Sequence, residues 1–209
     1  MHPRSNSNII RPQFQRTRQI SESHCGPAVL QMLLLNLGVN VTQEHLTSVL
    51  QAENFIHDRG LRIDELARAV TLVAPDAQFW FKEHSETNDL VTLVQDFQWP
   101  TGVEWQSLFY ESIEEEYEDT EGEAYDFGHY SVVVDIRPEE NLIVHADPYP
   151  EFAFKNRFFS LDWFESRWWD KNEVIRFGHK ESVLDERMMF VITQKGAYFP
   201  KALGMTPLS

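Results

Sequence analysis

The sequence predicts an α+β fold, with a helical part that carries the only cysteine packed on an antiparallel sheet. Two observations predict it. An almost uninterrupted apolar run follows Cys25, which indicates a central helix. Beyond residue 128, two segments rich in β-branched residues, Tyr130–Ile136 and Asn141–His145, are joined by a short polar link and read as adjacent strands of a mixed or antiparallel sheet.

The helix after Cys25 has recognisable ends. Pro27 suits a first helical turn, where its missing N–H is not needed, and Gly38 suits the left-handed residue that closes a helix. Apolar residues from Val29 to Leu37 occupy nearly every angle, which is typical of a helix buried on all sides. The thiol therefore lies at a helix N-terminus, whose dipole and unpaired N–H groups favour a thiolate and can hold a developing oxyanion.

Further helices are predicted from apolar residues that recur at helical spacing. Thr42 is an N-cap candidate for a short second helix, and the break at Arg59-Gly60 precedes a third. The apolar positions that mark the later helices are Ile63, Leu66, Ala67, Val70 and Val73, ending near Pro75; then Leu90, Leu93 and Val94; and then the aromatics of Leu161–Trp169.

Strands are predicted where β-branched and aromatic residues cluster between polar turns. Besides the two strands named above, they are Ala77–Phe81, Val103–Phe109, Phe152–Phe159 and Met188–Ile192. We expect a mobile lead-in over residues 1–14 and a single domain over 15–209, because a chain of 209 residues with 42% apolar content can bury one core.

Composition narrows the class of protein. No uncharged apolar stretch of membrane-spanning length occurs and the N-terminus lacks the apolar core of a secretory signal, so we expect a soluble cytoplasmic protein. A net charge of −15 argues against general binding to nucleic acid or anionic membrane and favours basic peptides as partners. The sequence makes no prediction of oligomeric state.

Residues 111–126 form an acidic insertion with nine carboxylate side chains, directly before Gly128-His129. Such a density of like charge opposes compact packing. The insertion is interpreted either as a solvated loop or as an acidic lid that attracts basic substrate to the mouth of a cleft.

Three further residues can complete a thiol site around Cys25. Gln19, six positions upstream, can supply a second oxyanion donor beside the Cys25 backbone N–H. His129 opens a strong strand, which leaves its ring at a sheet end. Asp147 closes the next strand in front of Pro148 and is the candidate for holding the tautomer of His129.

This set resembles the papain-like cysteine peptidase superfamily, and within it the bacteriocin-processing (double-glycine leader) peptidases and their stand-alone relatives. The pattern that carries the resemblance is Gln19, five residues, Cys25-Gly26-Pro27-Ala28 and an apolar helix, then the strand after His129 and the Asp147-Pro148 pair. It implies a papain-like fold in which Cys25 is the nucleophile, His129 the acid and base, Asp147 its orienting partner and Gln19 an oxyanion donor. It also implies a peptide or protein substrate and neither cofactor nor metal.

Each of these residues also has a purely structural interpretation. A lone cysteine beside a buried helix is often simple packing, because free cysteine behaves as a small hydrophobe. His129 can be a satisfied sheet histidine, and Asp147 a turn residue, which is a common role for Asp-Pro.

Other residues compete for the same roles. His24 adjoins the cysteine but has no nucleophile–base geometry, so at most it assists a thiolate from outside the site. His145 shares a strand face with Asp147 and can line the cleft or bind a metal with Cys25 and His129, although no ligand-pair spacing of an established zinc site is present. The aromatic residues Trp163, Trp168 and Trp169 are interpreted as packing.

The predicted function is a thiol-dependent hydrolase, a cysteine peptidase that acts through an acyl-enzyme on Cys25. Two alternatives remain open. One is a catalytically silent peptide-binding module of the same fold; the other is an acyltransferase, amidase or deconjugating enzyme that uses the same thiol chemistry.

Overall fold

The structure, a computed structural model, describes residues 14–110, 115, 127–199 and 201–208. Nearly all of the predicted lead-in and of the acidic insertion therefore lies outside the described residues. The insertion's role and the domain boundaries stay predictions.

Six α-helices are described. They are α1 (Cys25–Asn36), α2 (Gln43–Val49), α3 (Ile56–Arg59), α4 (Ile63–Val73), α5 (Thr87–Val91), which continues into a π-helical turn over Thr92–Asp96, and α6 (Leu161–Arg167). Short 3₁₀ turns cover Pro138–Glu140 and Lys201–Leu203. The one-turn helix α3 was not predicted, because four residues are too few to show a helical period.

Nine β-strands are described. They are β1 (Ala77–Lys82), β2 (Thr101–Gln106), β3 (Gly128–Arg137), β4 (Leu142–Ala146), β5 (Asn156–Ser160), β6 (Trp169–Arg176), β7 (His179–Glu186), β8 (Met189–Gln194) and β9 (Thr206–Leu208). Seven of them form one sheet in the order β5-β4-β3-β2-β8-β1-β9, and β6 pairs with β7 separately. All of these strand pairs are antiparallel. Of the two predicted alternatives, a mixed or an antiparallel sheet, the antiparallel sheet is the correct one.

The predicted C-terminal end of α1 and the predicted N-cap of α2 are confirmed. Gly38 follows α1 with a φ of +82°, a left-handed conformation that glycine adopts without strain. The Thr42 hydroxyl accepts a hydrogen bond from the backbone N–H of His45 at 3.2 Å and so caps α2.

Both faces of the large sheet are covered. One face carries α1, α2 and α4, and the core there includes Leu30 and Leu66 against Val132 of β3. The other face carries α5 and α6 and a core around Trp105 and Phe164. Burial on both faces explains why all six residues of β2 are buried, whereas the sequence suggested an alternating strand that ran on to Phe109.

One further strand prediction was wrong in extent, and one hairpin was not predicted. The strand predicted over Phe152–Phe159 begins only at Asn156, because Phe152 and Ala153 close a turn on the carbonyl of Tyr149. The hairpin of β6 and β7 was missed, since its many charged and exposed residues hide a strand pattern. Within the described part of the chain, no helix is long and apolar enough to cross a bilayer. The cytoplasmic location stays a prediction.

Candidate active site

The structure brings Cys25, His129 and Asp147 together from three separate elements. Cys25 is the first residue of α1, His129 the second residue of β3, and Asp147 follows the last residue of β4. His129 Nε2 and Asp147 Oδ1 are 2.9 Å apart, and Cys25 lies close enough to the His129 ring to contribute to the rise of its pKa. Because Nε2 faces Asp147, Nδ1 is the ring nitrogen left to reach the thiol.

The histidine–aspartate pair is shielded from water while the thiol is not. His129 is 3% exposed and the Asp147 side chain 0%, whereas Cys25 is partly exposed. The ring of Phe109 lies edge-on over His129, with 5.2 Å between ring centroids, and Tyr149 packs against Phe109 at 4.6 Å. Shielding strengthens the attraction between the two charged groups, since little water screens it.

The ionisation of the pair follows from its surroundings. Burial alone would lower the pKa of His129, but the charge and hydrogen bond of Asp147, with a smaller contribution from Cys25, raise it to about 10. Burial would likewise raise the pKa of Asp147, but the positive charges of His129 and Arg157 hold it well below its usual range. His129 is therefore an imidazolium, and Asp147 a carboxylate, at neutral pH.

Arg157, on β5, contacts this cluster and was not recognised in the sequence. Its Nη1 lies 2.7 Å from Asp147 Oδ2, and its Nη2 donates to the carbonyl of Leu108 at 2.6 Å. Asp147 Oδ1 meanwhile accepts from the backbone N–H of Tyr149 at 2.9 Å. The carboxylate is thus held from three sides. An arginine in a strand carries no sequence signal of its own, and only the pairing of β4 with β5 places it here.

Asp147→Asn is expected to move the alkaline limb of the pH–activity profile to lower pH. Asparagine keeps an oxygen for His129 Nε2 but removes the charge that raises the histidine pKa, so His129 loses its proton at a pH lower by about 1 to 3. The pH dependence of kcat/KM measures this. The matched control is Asp135→Asn, because Asp135 is a partly exposed carboxylate paired with Arg137. An unmoved limb in Asp147→Asn would show that this carboxylate does not set the ionisation of His129.

Arg157→Gln is expected to destabilise the fold by about 3 to 5 kcal/mol, because it leaves the buried Asp147 carboxylate without one of its charged partners. Urea unfolding of both proteins measures the difference. Arg137→Gln is a suitable control, since its ion pairs are exposed and surface pairs contribute at most about 1 kcal/mol. Equal midpoints for the two variants would contradict a supporting role for Arg157.

Gln19 is buried, at 3% exposure, in the segment before α1. Its Nε2 donates to the backbone carbonyls of Ser21 at 2.9 Å and Glu22 at 3.1 Å, and its backbone N–H donates to the carbonyl of Pro148 at 2.8 Å. The amide therefore holds the turn that leads into α1. To stabilise an oxyanion it must redirect one of these two N–H bonds. The first backbone N–H groups of an α-helix have no partner within the helix, so those at the start of α1 are the other donors available to an oxyanion.

The competing histidines lie outside this cluster. His24 is buried, with its Nδ1 2.6 Å from the Ser21 hydroxyl. Contrary to one interpretation of the sequence, His145 does not line the cleft: it packs against Trp105 and Phe164 on the other face of the sheet, and its Nδ1 is 2.8 Å from the Ser131 hydroxyl. Burial lowers the pKa of His145 to about 3, so its ring is neutral.

The tryptophans fit their interpretation as packing. Trp168 is 1% exposed, and Trp163 stacks on Phe159 with 5.1 Å between the centroids.

A cavity of about 210 Å³ opens beside the thiol. Its lining residues come from the segment around α1, from α3 and from three strands: Glu22, Ser23, Cys25, His57, Asp58, Arg59, Gly60, Leu61, Glu104, Gly128, Tyr130, Asp170 and Asn172. Glu104 and Asp170 are both buried, at 3% and 7% exposure. These carboxyl groups were not recognised in the sequence, because they lie on β2 and β6 and only the fold brings them to Cys25.

Comparisons with known proteins agree with this architecture. The model of the Peptidase_C39 like family matches residues 10–173. The peptidase domain of Streptococcus ComA, described as a bi-functional ABC transporter involved in quorum sensing, has a TM-score of 0.55 and 16% identity over 87% of this chain and 99% of that one. A structure described as a C39-like peptidase from Bacillus anthracis has a TM-score of 0.55 and 15% identity over 88% and 96%.

A third structure is that of a double glycine motif protease from an AMS/PCAT transporter in complex with the leader peptide. Its TM-score is 0.50 and its identity 12%, over 90% of this chain and 97% of that one. Among curated proteins, none matches the chain. The similar structures confirm the predicted papain-like α+β fold.

Proposed function

Because the chain belongs to the Peptidase_C39 like family, we propose that it is a cysteine peptidase that cleaves a peptide bond through an acyl-enzyme on Cys25. The observation that carries the proposal is the buried pair of Asp147 and His129 beside the thiol, with 2.9 Å between Asp147 Oδ1 and His129 Nε2. A buried imidazolium beside a thiol at a helix N-terminus favours the thiolate, the nucleophilic form. A purely structural cysteine has no need of such a partner.

The proposed reaction follows from this arrangement. The Cys25 thiolate attacks the carbonyl carbon of the scissile bond, and the resulting oxyanion is held by backbone N–H groups at the start of α1 together with Gln19. His129 then gives its proton to the leaving amine, the C–N bond breaks and a thioester remains. His129 next takes a proton from water, whose oxygen attacks the thioester, and collapse releases the acid and regenerates the thiolate–imidazolium pair.

A peptide is the substrate class that this proposal implies. It is supported by the family and by the similar double glycine motif protease, whose structure contains a leader peptide. The net charge of −15 favours basic peptides among them, because long-range attraction raises their concentration near an acidic protein.

Incubation of the protein with a peptide library, with products identified by mass spectrometry, tests the proposal. We expect cleavage products from the wild-type protein and none from Cys25→Ala. Binding without cleavage by either protein would instead favour the silent peptide-binding module. Release of ammonia or of an attached group, with the peptide chain left whole, would favour an amidase or deconjugating enzyme.

Gln19→Ala is expected to lower kcat by about a hundredfold, because the amide acts on the transition-state oxyanion. Alkylation of Cys25 by iodoacetamide forms no oxyanion, so its rate reports whether the turn before α1 survives the loss of the two carbonyl bonds. Thr17→Ala is a control, since this residue bonds Gln31 nearby. Unchanged turnover in a folded Gln19→Ala protein would remove Gln19 from the mechanism.

A further inference from the structure

The segment that carries Gln19 is held by the side chain of Gln43, the first residue of α2. Gln43 Nε2 donates to the backbone carbonyl of Arg18 at 2.8 Å, and Gln43 Oε1 accepts from the backbone N–H of Ile20 at 3.1 Å. One amide thus bonds the residues on both sides of Gln19. Exchanging its oxygen and nitrogen would place a donor against the Ile20 N–H, so these partners fix its orientation.

The Gln43 amide is itself fixed by its surroundings. Gln43 is 3% exposed, and its Nε2 also donates to Gln31 Oε1 at 3.1 Å. Gln31 lies on α1, the helix that begins at Cys25, and its own Nε2 donates to the carbonyl of Val41 at 2.8 Å. Gln43 therefore connects the helix of the nucleophile to the segment of the oxyanion donor.

The stability of α2 does not explain a buried amide at its first residue. Thr42 caps this helix, and Leu46 anchors it in the core. Burying an amide costs free energy unless its hydrogen bonds are made. The bonds of the Gln43 amide described above all lead out of α2, to the segment of Gln19 and to α1.

The side chain of Gln19 is anchored less firmly than that of Gln43. Its Nε2 donates to carbonyls of its own turn, those of Ser21 and Glu22, and its buried Oε1 has no hydrogen-bond partner among the described residues. To donate to an oxyanion, the amide must turn away from one of these carbonyls. During that turn its position relative to Cys25 is set by the Gln19 backbone.

The backbone around Gln19 is fixed at two points. The Gln19 N–H donates to the carbonyl of Pro148 at 2.8 Å, which relates the segment to Asp147, and the neighbours of Gln19 bond to Gln43. Misplacing a catalytic group by about 1 Å can lower a rate by about a hundredfold. The loss of either point would therefore affect the oxyanion site.

We propose that Gln43 is a positioning residue for the oxyanion site: its amide holds the backbone of residues 18–20, so that the Gln19 amide can turn to the oxyanion while its segment stays in place. The inference rests on the proposed peptidase function and adds a residue to it. Gln43 acts through Gln19 and needs no contact with the reacting atoms. Its loss should weaken the stabilisation of the oxyanion and leave the reactivity of the Cys25 thiolate unchanged.

Two reagents that modify the same sulfur through different transition states test the inference. With p-nitrophenyl acetate, the Cys25 thiolate attacks the ester carbonyl carbon, the carbonyl oxygen becomes an oxyanion, and its collapse expels p-nitrophenolate and leaves an acetyl thioester. Iodoacetamide alkylates the sulfur by displacement of iodide and forms no oxyanion. Neither reagent needs a known peptide sequence, and the rate of Cys25→Ala is subtracted from each rate.

Gln43→Met keeps nearly the size of the side chain without its amide, and we expect it to slow acetylation about tenfold and alkylation less than about twofold. Gln19→Ala should slow acetylation about thirtyfold. Because Gln43 acts through Gln19, the double variant should be no slower than Gln19→Ala, whereas independent effects would multiply to about three hundredfold.

Gln78→Met is the matched control. Gln78 is a partly buried glutamine of β1 whose Nε2 also donates to two carbonyls, those of Phe79 at 3.0 Å and Leu208 at 2.9 Å. We expect both of its rates to stay within about twofold of wild type, because its amide does not bond the segment of Gln19.

Urea unfolding shows whether each variant is folded under the assay conditions. If Gln43→Met is not, Gln43→Asn replaces it, since its amide is too short to bond both Arg18 and Ile20. Wild-type acetylation in a folded Gln43 variant or in Gln19→Ala would overturn the inference. A parallel fall in both reactions, a multiplied loss in the double variant, or a selective loss in Gln78→Met would overturn it as well.

The same rates separate failure of this inference from failure of the proposed function. If Gln19→Ala slows acetylation selectively and the folded Gln43 variant does not, the thiol site stands and only the role of Gln43 is rejected. If the wild-type protein is acetylated no faster than Cys25→Ala, the proposed function fails and the inference fails with it.

Discussion

Replacing Cys25 with alanine is expected to lower kcat for a cleaved peptide by a factor on the order of 10⁶. The reason is that the acyl-enzyme forms on the Cys25 sulfur, and no second cysteine exists to replace it. Peptide binding should change little, since alanine fits the space of the thiol at the start of α1 and Cys25 is only partly buried.

Kinetics on a quenched-fluorescence peptide and binding by calorimetry separate these two expectations. Cys25→Ser is the companion variant: it keeps a hydroxyl in place of the thiol, yet should be almost as inactive because a hydroxyl is far less acidic than a thiol. Residual activity above about 1% of wild type in Cys25→Ala would mean that another group is the nucleophile.

His129→Ala is expected to lower kcat by about 10⁴ to 10⁶, the second largest effect. The loss has two parts. Without the imidazolium the thiolate loses its counter-charge, and without its proton the amine has no acid to help it leave. The same substitution also removes one charged partner of the buried Asp147 carboxylate, so some loss of stability is expected.

Thermal unfolding of His129→Ala shows whether the fold persists at the assay temperature. His45→Ala on α2 is the matched control, since His45 is exposed and we expect unchanged turnover. A fall of less than tenfold in folded His129→Ala would contradict its role as acid and base.

Part of this site could be predicted because its signals are local. The helix after Cys25 follows from one apolar run closed by Gly38, and both ends are where the sequence places them. His129 and Asp147 could be selected because each stands at a strand end, next to glycine or proline. The strand that begins near His129 and the strand that ends before Asp147 follow one another in the chain and pair in the sheet. The contact between His129 and Asp147 could therefore be predicted from chain order.

The rest could not be predicted because it depends on long-range pairing. The register in which Arg157 lies opposite His145 puts the guanidinium within reach of Asp147, and nothing near Arg157 in the sequence specifies that register. The cavity beside Cys25 is lined by Glu104 of β2 and Asp170 of β6. The hairpin of β6 and β7 has the composition of a polar loop, so the sequence does not reveal that it reaches this cavity. Strand β8 lies between β2 and β1 in the sheet, and no local sequence pattern predicts that position either.

The rate of Cys25 alkylation by iodoacetamide at pH 6, in wild type and in His129→Ala, tests the central claim most directly and needs no known substrate. The claim is that His129, held as an imidazolium by Asp147, keeps Cys25 in its reactive form. At pH 6 an unassisted thiol is almost wholly protonated and unreactive. We expect the wild-type protein to be alkylated about a hundredfold faster than the variant. Equal, slow rates in both proteins would contradict it.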